Sequence, residues 1–507
     1  MCGGGRMPII PTNTGRETTP GSSWGPCRLR GREREEDMRR IKIAMLGCGG
    51  VAHLYLPVFK YLKEAQLVAL VDIDEGKAKH LAERYGVEKV YSDVEEAASD
   101  PEIDAVIVGT PPNLHAEHVE VCASSGKHIL CEKPMASTVG DCQRIIDACR
   151  KNGVKLQMAH MKRFMRGNQM VKSIVDSGCM GKIFMAECHW DCAVPHLIGT
   201  YRETEEAGGG NLQDHGPHAF DLVRWWTGND ILQVSASIRI VHPQRPTEDT
   251  AVVVLEHENG MVSFYHMTRV SYGREHWQDL YRIYGTDATL VVRNDHHFPT
   301  TSLESPEIVL YRPGGCIQRY DLGHPWNLDD TVVQNNPFYN QLKAFCECIL
   351  NDTEPRVTGE DGMHVMEAVI AAYVSSLKGI KVKLPFREDV DLRKLFREIK
   401  ERDGKNLKYD YTIDNLPKPA VSLKAPLYAF RPPRTKEKWS DEEHGMIGEA
   451  GYDALTTSLK RSCICRTRAA STTGTSERRS WRCKAEDRVE LPGGLYSPKS
   501  GQLPYEG

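Results

Sequence analysis

Short apolar runs alternate with amphipathic stretches over the first third of the chain. The apolar runs lie at 41–46, 67–71, 105–108, 128–131 and 154–158, and the amphipathic stretches lie at 51–64, 75–85, 114–125 and 138–152. Short, continuous apolar runs are typical of strands buried on both faces, and apolar residues at helical spacing indicate helices that cover them. The pattern therefore predicts an α/β domain with a parallel sheet.

From about residue 183 to 330 the pattern changes to longer, partly alternating runs. They lie at 231–241, 250–257, 261–267, 280–284 and 290–293. Alternation of apolar and polar positions indicates strands with one buried face, and residues 258–260 form a turn signal between two of the runs. This part of the chain predicts an α+β domain with a large, mostly antiparallel open sheet. Helices are predicted after the sheet, at 337–350 and 360–378.

The two ends of the chain differ from the middle. Residues 1–40 are rich in Gly, Arg, Ser and Thr and lack apolar periodicity, so we expect a disordered basic extension. Residues 387–507 are dominated by Pro-rich and charged stretches and predict a low-order C-terminal extension. Within that extension, the spacing of Leu392, Leu395, Phe396 and Ile399 predicts one short helix that stops at Gly404.

The composition is that of a globular protein with nearly balanced charge. The 507 residues include 65 Lys plus Arg and 69 Asp plus Glu, which gives a formal net charge of −4. This balance disfavours a dedicated nucleic-acid-binding protein, and no apolar stretch reaches the roughly 18 residues of a membrane span. Many of the 16 cysteines fall inside predicted elements, and no signal peptide is visible. We therefore expect reduced thiols in a cytoplasmic protein.

A glycine-rich turn follows the first predicted strand and opens a helix. Its residues are Gly47, Cys48, Gly49, Gly50, Val51 and Ala52. Gly47 permits the tight turn, Gly49 lets the backbone approach a pyrophosphate, and Ala52 is small enough for close packing of helix on strand. The N–H groups of the helix N-terminus suit phosphate oxygens. The turn therefore predicts a dinucleotide site.

Asp72 ends the second predicted strand, 20 residues after Ala52. A carboxylate there accepts hydrogen bonds from an adenosine ribose and repels a 2′-phosphate. Residues 73–76 contain no Lys or Arg, so we expect NAD in preference to NADP. The alternative is a glycine turn in an α/β protein that binds no nucleotide.

A second polar segment follows the third apolar run, at the edge where open α/β sheets bind ligands. Its candidate contacts to pyrophosphate or nicotinamide are Thr110, Pro111, Asn113 and His115. The alternative is structural: Asn113 would be a helix N-cap and His115 a residue of the first turn.

Three polar residues are candidates for catalysis. Lys133 closes the fourth apolar run, where a lysine facing a cofactor can donate a hydrogen bond or a proton to a substrate oxygen. Asp214 and His218 are four residues apart and share a helix face, and a carboxylate beside a histidine is a common acid/base arrangement. Pro217 suits the first turn of that helix.

The same three residues could instead have no part in catalysis. Lys133 would then be a surface lysine, and Asp214 with His218 a structural pair. A metal is a further alternative, held by Asp214, His215 and His218 or by the pair His296 and His297. No additional ligand spacing supports a metal, so none is predicted.

In their order along the chain, these motifs resemble those of the Gfo/Idh/MocA oxidoreductases. The resemblance covers about 41–386 and includes the segment 359–362. It implies a Rossmann domain at 41–160 and a C-terminal substrate and oligomerisation domain at 161–386. It also implies a catalytic set of Lys133, Asp214 and His218 that contacts substrate, with Glu132 and Lys133 also beside the cofactor. Arg163 is a further candidate for substrate contact, with Lys162 as an equal alternative.

The function that this resemblance implies is NAD(P)-dependent hydride transfer. The substrate would be a secondary alcohol of a sugar, sugar derivative or polyol, and the enzyme a homodimer or homotetramer without nucleic-acid or membrane partners. Two alternatives stay open: a glycosidase of the same family that retains NAD, and a non-catalytic regulator that binds a dinucleotide.

Overall fold

Two β-sheets form the framework of the protein. The computed structural model describes residues 39–191, 204, 210–242, 245, 247–270, 278–293, 307–320, 336–388 and 390–404. The histidines at 296 and 297 and nearly all of the two predicted extensions lie outside these residues.

The strands fall into an N-terminal sheet, β1–β6, and a second sheet, β7–β15. They are β1 (Ile41–Leu46), β2 (Ala65–Val71), β3 (Lys89–Tyr91), β4 (Ala105–Val108), β5 (His128–Glu132), β6 (Leu156–Ala159), β7 (Ile183–Asp191), β8 (Ile231–Arg239), β9 (Thr250–His257), β10 (Val262–Thr268), β11 (Gln278–Gly285), β12 (Thr289–Arg293), β13 (Glu307–Arg312), β14 (Cys316–Tyr320) and β15 (Val382–Lys383).

Ten α-helices are found in the described part of the chain. They are α1 (Ala52–Tyr55), α2 (Glu75–Tyr85), α3 (Val94–Ser99), α4 (His115–Ser124), α5 (Val139–Asn152), α6 (Arg166–Asp176), α7 (Asn211–Thr227), α8 (Pro337–Leu350), α9 (Gly359–Lys378) and α10 (Leu392–Gly404). None of these helices is both long enough and apolar enough to span a bilayer.

The N-terminal sheet is the parallel sheet that the apolar runs predict. Its strand order is β3-β2-β1-β4-β5-β6, and every pair is parallel. The order reverses between β1 and β4, and ligands of open α/β sheets bind outside such a reversal, at the carboxyl ends of the strands. Strand β3 and helix α3 are not predicted from the sequence, because both are short and only partly apolar.

The second sheet is mostly antiparallel, as predicted. Its nine strands follow the order β14-β13-β12-β11-β7-β10-β9-β8-β15, and the pair β10–β7 is parallel. Burial alternates along β9 from Thr250 to His257, with every second side chain buried. Helices α7 and α9 pack on the face that holds the buried side chains, whereas side chains of the opposite face, such as Val254 and Phe264, stay partly exposed.

Helix α8 returns from the second sheet to cover the N-terminal domain. Phe338, Leu342 and Phe345 belong to the same buried cluster as Leu54 and Tyr55 next to the glycine turn. The Phe338 and Tyr55 rings meet edge to face, with 5.1 Å between their centroids. The N-terminal core therefore includes side chains from the far end of the folded chain.

Helix α10 confirms the short helix predicted at the start of the C-terminal extension. Leu392, Phe396 and Ile399 are buried, and the Phe396 ring meets Tyr373 of α9 edge to face. The carboxylate of Asp403 accepts the Ile240 N–H just beyond β8 at 2.9 Å. The packed structure therefore continues beyond the boundary at 386, because the change in composition there marks a loop and not the end of the core.

Candidate active site

The glycine turn follows β1, at the edge of the sheet where the strand order reverses between β1 and β4. Gly47 has a φ of +90°, and a Cβ there would lie 2.7 Å from the carbonyl oxygen of Gly109 after β4. Only glycine tolerates both conditions. A Cβ on Gly49, by contrast, would meet no described atom within 4 Å. The backbone is therefore bare and accessible at the position where a pyrophosphate would approach, so this turn fits a dinucleotide.

Asp72 lies beside that turn, at the end of β2. Its carboxylate accepts the backbone N–H of Cys48 at 2.7 Å and that of Asp74 at 2.9 Å. A carboxylate has about four lone-pair positions, so further acceptor capacity is left for ribose hydroxyls. Lys77 lies just beyond the segment without basic residues, and its ammonium pairs with Asp74 at 3.2 Å.

His115 is buried within the protein, which does not support the cofactor contact predicted for it. The ring is buried, with Nε2 2.8 Å from the Thr110 carbonyl oxygen and Nδ1 3.1 Å from that of Met135. Burial lowers the pKa of His115 to about 4, so the ring is neutral. A neutral ring has one N–H and can donate it to one of these two carbonyl oxygens, so His115 supports the loop after β4 from a buried position.

The other residues of this loop differ in their accessibility. Thr110 and Pro111 are partly exposed, and the Thr110 hydroxyl lies 2.9 Å from Nδ1 of His118. Asn113 is exposed and does not cap α4, whose N-cap is Leu114. Thr110, Pro111 and Asn113 therefore remain accessible to a ligand at the sheet edge.

Glu132 is buried at the end of β5, and its side chain is held by the protein. Tyr55 of α1 donates its hydroxyl proton to Oε1 at 2.8 Å, and the N–H of Lys133 donates to Oε2 at 3.1 Å. Gln341 of α8 donates to the Tyr55 hydroxyl at 2.6 Å. Burial and the neighbouring Glu132 raise the pKa of Tyr55 well above its usual value, so the hydroxyl keeps its proton. The cofactor contact predicted for Glu132 therefore competes with these internal bonds.

Lys133 and Asp214 meet across the two domains. Lys133 Nζ donates to Asp214 Oδ1 at 2.7 Å and to the Asp214 carbonyl oxygen at 2.9 Å. The two side chains are 12% and 17% exposed. Because Lys133 follows β5 at the edge where the glycine turn lies, this contact joins the dinucleotide site to α7.

Helix α7 begins at Asn211, earlier than the sequence suggested. Pro217 therefore lies inside the helix and not in its first turn. Oε1 of the Glu248 carboxyl group accepts hydrogen bonds from the Leu212 N–H at 2.7 Å and from the Tyr373 hydroxyl at 2.6 Å. A Cβ at Gly210 would lie 2.2 Å from Glu248 Oε2, so the absence of a side chain at Gly210 makes room for this carboxyl group at the helix start.

The Asp214 carboxylate is bound by two positively charged side chains. Its Oδ2 accepts a hydrogen bond from Arg269 Nη2 at 2.5 Å, while Oδ1 accepts from Lys133. The spacing of Asp214 and His218 predicts an acid/base pair. In the structure the Asp214 carboxylate binds Lys133 and Arg269, and Arg269 lies just after β10, far away in sequence.

His218 lies one turn after Asp214 on α7 and is 9% exposed. Its ring centroid lies 6.0 Å from that of His215. His215 is held from both sides, with Nδ1 2.7 Å from the Tyr265 hydroxyl and Nε2 3.4 Å from Lys162 Nζ. Lys162 also donates to Asp279 at 2.7 Å. Lys162 therefore contacts His215, whose ring lies beside that of His218.

Arg163 belongs to a buried ion-pair cluster, which does not support the substrate contact predicted for it. The guanidinium donates to both oxygens of Asp221, at 2.9 and 2.5 Å, and to Asp361 at 3.2 Å. Burial raises the pKa of Asp361, but the charges of Arg163 and Arg224 lower it, and the net value is about 2. The carboxylates of Asp221 and Asp361 occupy the Arg163 guanidinium and tie residues 161–164 to α7 and α9.

A metal site is not seen among the residues that the structure describes. No group of three or more His, Cys, Asp or Glu side chains in that part of the chain is arranged to hold an ion. The Asp214 carboxylate is bound to Lys133 and Arg269, and His215 lies against the Tyr265 hydroxyl.

Family models match both domains. The model described as an oxidoreductase family with an NAD-binding Rossmann fold matches residues 41–160, and the GFO/IDH/MocA C-terminal domain matches residues 168–291. Together with the sheet order and the glycine turn, these matches define an NAD-binding oxidoreductase with a Rossmann domain. Residues 41–160 and 168–291 therefore both match the Gfo/Idh/MocA family.

Similar proteins act on sugars and polyols. Myo-inositol 2-dehydrogenase of Thermotoga maritima is 27% identical over 68% of this chain and 98% of its own length. D-Apiose dehydrogenase of Paraburkholderia graminis is 26% identical over 68% of this chain and 90% of its own length. The crystal structure of aldose-aldose oxidoreductase from Caulobacter crescentus, complexed with glycerol, is similar with a TM-score of 0.60. The two sequences are 27% identical, and the match covers 68% of this chain and all of that chain.

Proposed function

We propose that this protein is an NAD-dependent dehydrogenase that acts on a secondary alcohol of a sugar, sugar derivative or polyol. The contact between Lys133 Nζ and Asp214 Oδ1 carries the proposal. It brings two candidate catalytic side chains together beside the dinucleotide turn. The substrates named for the relatives are sugars and polyols, which supports the same substrate class here.

Each of the three candidate residues has a role in this proposal. Bound NAD would supply the hydride acceptor at C4 of the nicotinamide. His218 removes the hydroxyl proton of the substrate as general base, and returns it when the reaction runs in reverse. Lys133 donates a hydrogen bond to the reacting oxygen and stabilises the negative charge that develops there. Asp214 holds the ammonium of Lys133 in place and can contact a neighbouring substrate hydroxyl.

A panel of sugars, sugar acids and inositols tests this function. We expect at least one compound to reduce NAD, measured as the absorbance of NADH. Turnover of a glycoside without accumulation of NADH would instead indicate the glycosidase alternative. Tight NAD binding with no turnover across the panel would contradict a dehydrogenase and favour the regulator.

The preference for NAD is expected to depend on Asp72. Asp72→Asn keeps an acceptor oxygen for the Cys48 N–H but removes the charge, so NAD should bind roughly 10- to 150-fold more weakly and discrimination against NADP should fall. The magnitude follows from losing a hydrogen bond to a charged acceptor, about 1.5–3 kcal/mol. Titration of both dinucleotides measures the effect, with Asp74→Asn as the control. An unmutated protein that binds NADP more tightly than NAD would contradict this prediction.

The second sheet is expected to pair with another subunit. Its open face presents Val254 and Phe264, and large partly exposed apolar faces usually mark interfaces. We therefore propose a homodimer or a dimer of dimers. Light scattering at micromolar concentration should give at least twice the mass of the chain, and Val254→Glu should lower it. Leu350→Glu, which changes an exposed apolar residue on α8, serves as the control. A monomer of the unmutated protein would refute the proposal.

A further inference from the structure

We propose that Arg269 is a positioning residue of the active site, which holds the carboxylate of Asp214 and leaves the ammonium of Lys133 available to the reacting oxygen. This inference deepens the proposed function and rests on it. Arg269 is not part of any motif that the sequence analysis identified, because it follows β10 and is isolated in sequence from the glycine turn, Lys133 and α7.

The placement of Arg269 is tightly determined. Its side chain has no exposed surface, and its guanidinium carbon lies 5.8 Å from the centre of the Trp190 ring. Its backbone N–H donates to the Asp249 carbonyl oxygen at 2.8 Å. A guanidinium is always charged and costly to bury, so a fully buried one needs a specific anionic partner. Asp214 supplies that partner, through the oxygen that Lys133 does not use.

The division of one carboxylate between two cations has an electrostatic consequence. Arg269 and Lys133 carry two positive charges and Asp214 one negative charge, so one positive charge remains among these three side chains. Glu248 lies near Arg269, but burial raises the pKa of Glu248 to about 8, so its carboxyl group is mostly protonated at neutral pH. The remaining positive charge favours an alkoxide that forms beside Lys133.

Removal of Arg269 should therefore change the chemistry more than the binding. In Arg269→Met, Asp214 keeps its ion pair with Lys133 but loses the one with Arg269. Its carboxylate can then rotate. We expect kcat to fall about 100-fold, the size of effect that misplacement of a reacting group produces. KM for the substrate should change less than about threefold, because the interaction acts mainly in the transition state. Arg269→Lys retains the charge and should recover part of kcat.

A matched pair of variants separates this role from a structural one. Arg224 lies on the same helix as Asp214, is largely buried and is bonded to Asp230 at 2.5 Å and to Asp361. Arg224→Met and Arg224→Lys should lower the melting temperature and leave the kcat of the folded protein unchanged. NAD titration of all four variants should give affinities close to that of the unmutated protein. Arg269→Met with unchanged kcat and a lowered melting temperature would overturn the proposal.

A thermodynamic cycle tests the shared carboxylate without any substrate. Arg269→Met and Lys133→Met each remove a contact to Asp214, so their effects on unfolding should be non-additive. Additive effects would overturn the shared contact. A native protein that turns over no substrate, together with a non-additive cycle, would refute the proposed function and the catalytic importance of Arg269, while leaving the contact itself supported.

Discussion

Replacement of His218 by alanine is expected to lower turnover roughly 10²- to 10⁴-fold, the range for removal of a positioned acid/base group. In the proposed mechanism, no other described side chain on α7 takes the substrate proton. His218 does not belong to the glycine turn or the ribose site, so NAD affinity should stay within a few-fold. Steady-state kinetics, NAD titration and a melting temperature should be measured on the same preparation.

The control for this variant is a buried histidine outside the site. Nδ1 of His257 in β9 lies 3.1 Å from the Asn229 carbonyl oxygen, and its Nε2 lies 2.7 Å from the Ser263 hydroxyl. We expect His257→Gln to lower stability and to leave the kcat of the folded protein unchanged. If His218→Ala behaved like this control, Asp214 and His218 would be a structural pair at the start of α7 and the catalytic assignment would be wrong.

Replacement of Lys133 by methionine should reduce kcat by a comparable factor, about 10²–10³-fold, since it removes the donor aimed at the developing alkoxide. Methionine keeps the length of the side chain and much of its packing. The loss should therefore appear in kcat more than in NAD affinity. A kcat within threefold of the unmutated enzyme would contradict the role of Lys133.

Lys127 offers a matched control in the same domain. Its ammonium is buried and donates to the carbonyl oxygens of Asp100 at 2.7 Å and Ile103 at 2.8 Å, before β5 begins. Lys127→Met should lower stability, because two buried carbonyl groups lose their donor. Its kcat should not change. A fall in kcat in both variants would indicate that loss of any buried lysine perturbs the domain.

Local sequence was sufficient to predict the dinucleotide half of the fold. Each strand and its following turn are contiguous, so the glycine turn after β1 and Asp72 after β2 could be placed at one sheet edge from their positions alone. Alternation of apolar and polar residues likewise predicted the second sheet. The short strand β3 carries too little apolar pattern to be recognised.

The contacts of the site were harder to predict, because they join distant parts of the chain. Arg269 reaches Asp214 across 55 residues, and Gln341 reaches Tyr55 across 286 residues. No local pattern encodes such contacts. The ion pairs of Arg163 could not be predicted for the same reason, since its partners, Asp221 and Asp361, lie far away along the chain. The substrate contact predicted for Arg163 stays a prediction, and its ion pairs with these two carboxylates do not support it.

The return of α8 to the N-terminal domain bears on the order in which the protein folds during synthesis. Phe338, Leu342 and Phe345 complete the cluster around Tyr55, yet they leave the ribosome long after β1–β6. The nascent dinucleotide half would therefore expose apolar surface until α8 emerges. We expect chaperones to engage this surface on the growing chain, and the ability to bind NAD to appear only after α8 has emerged.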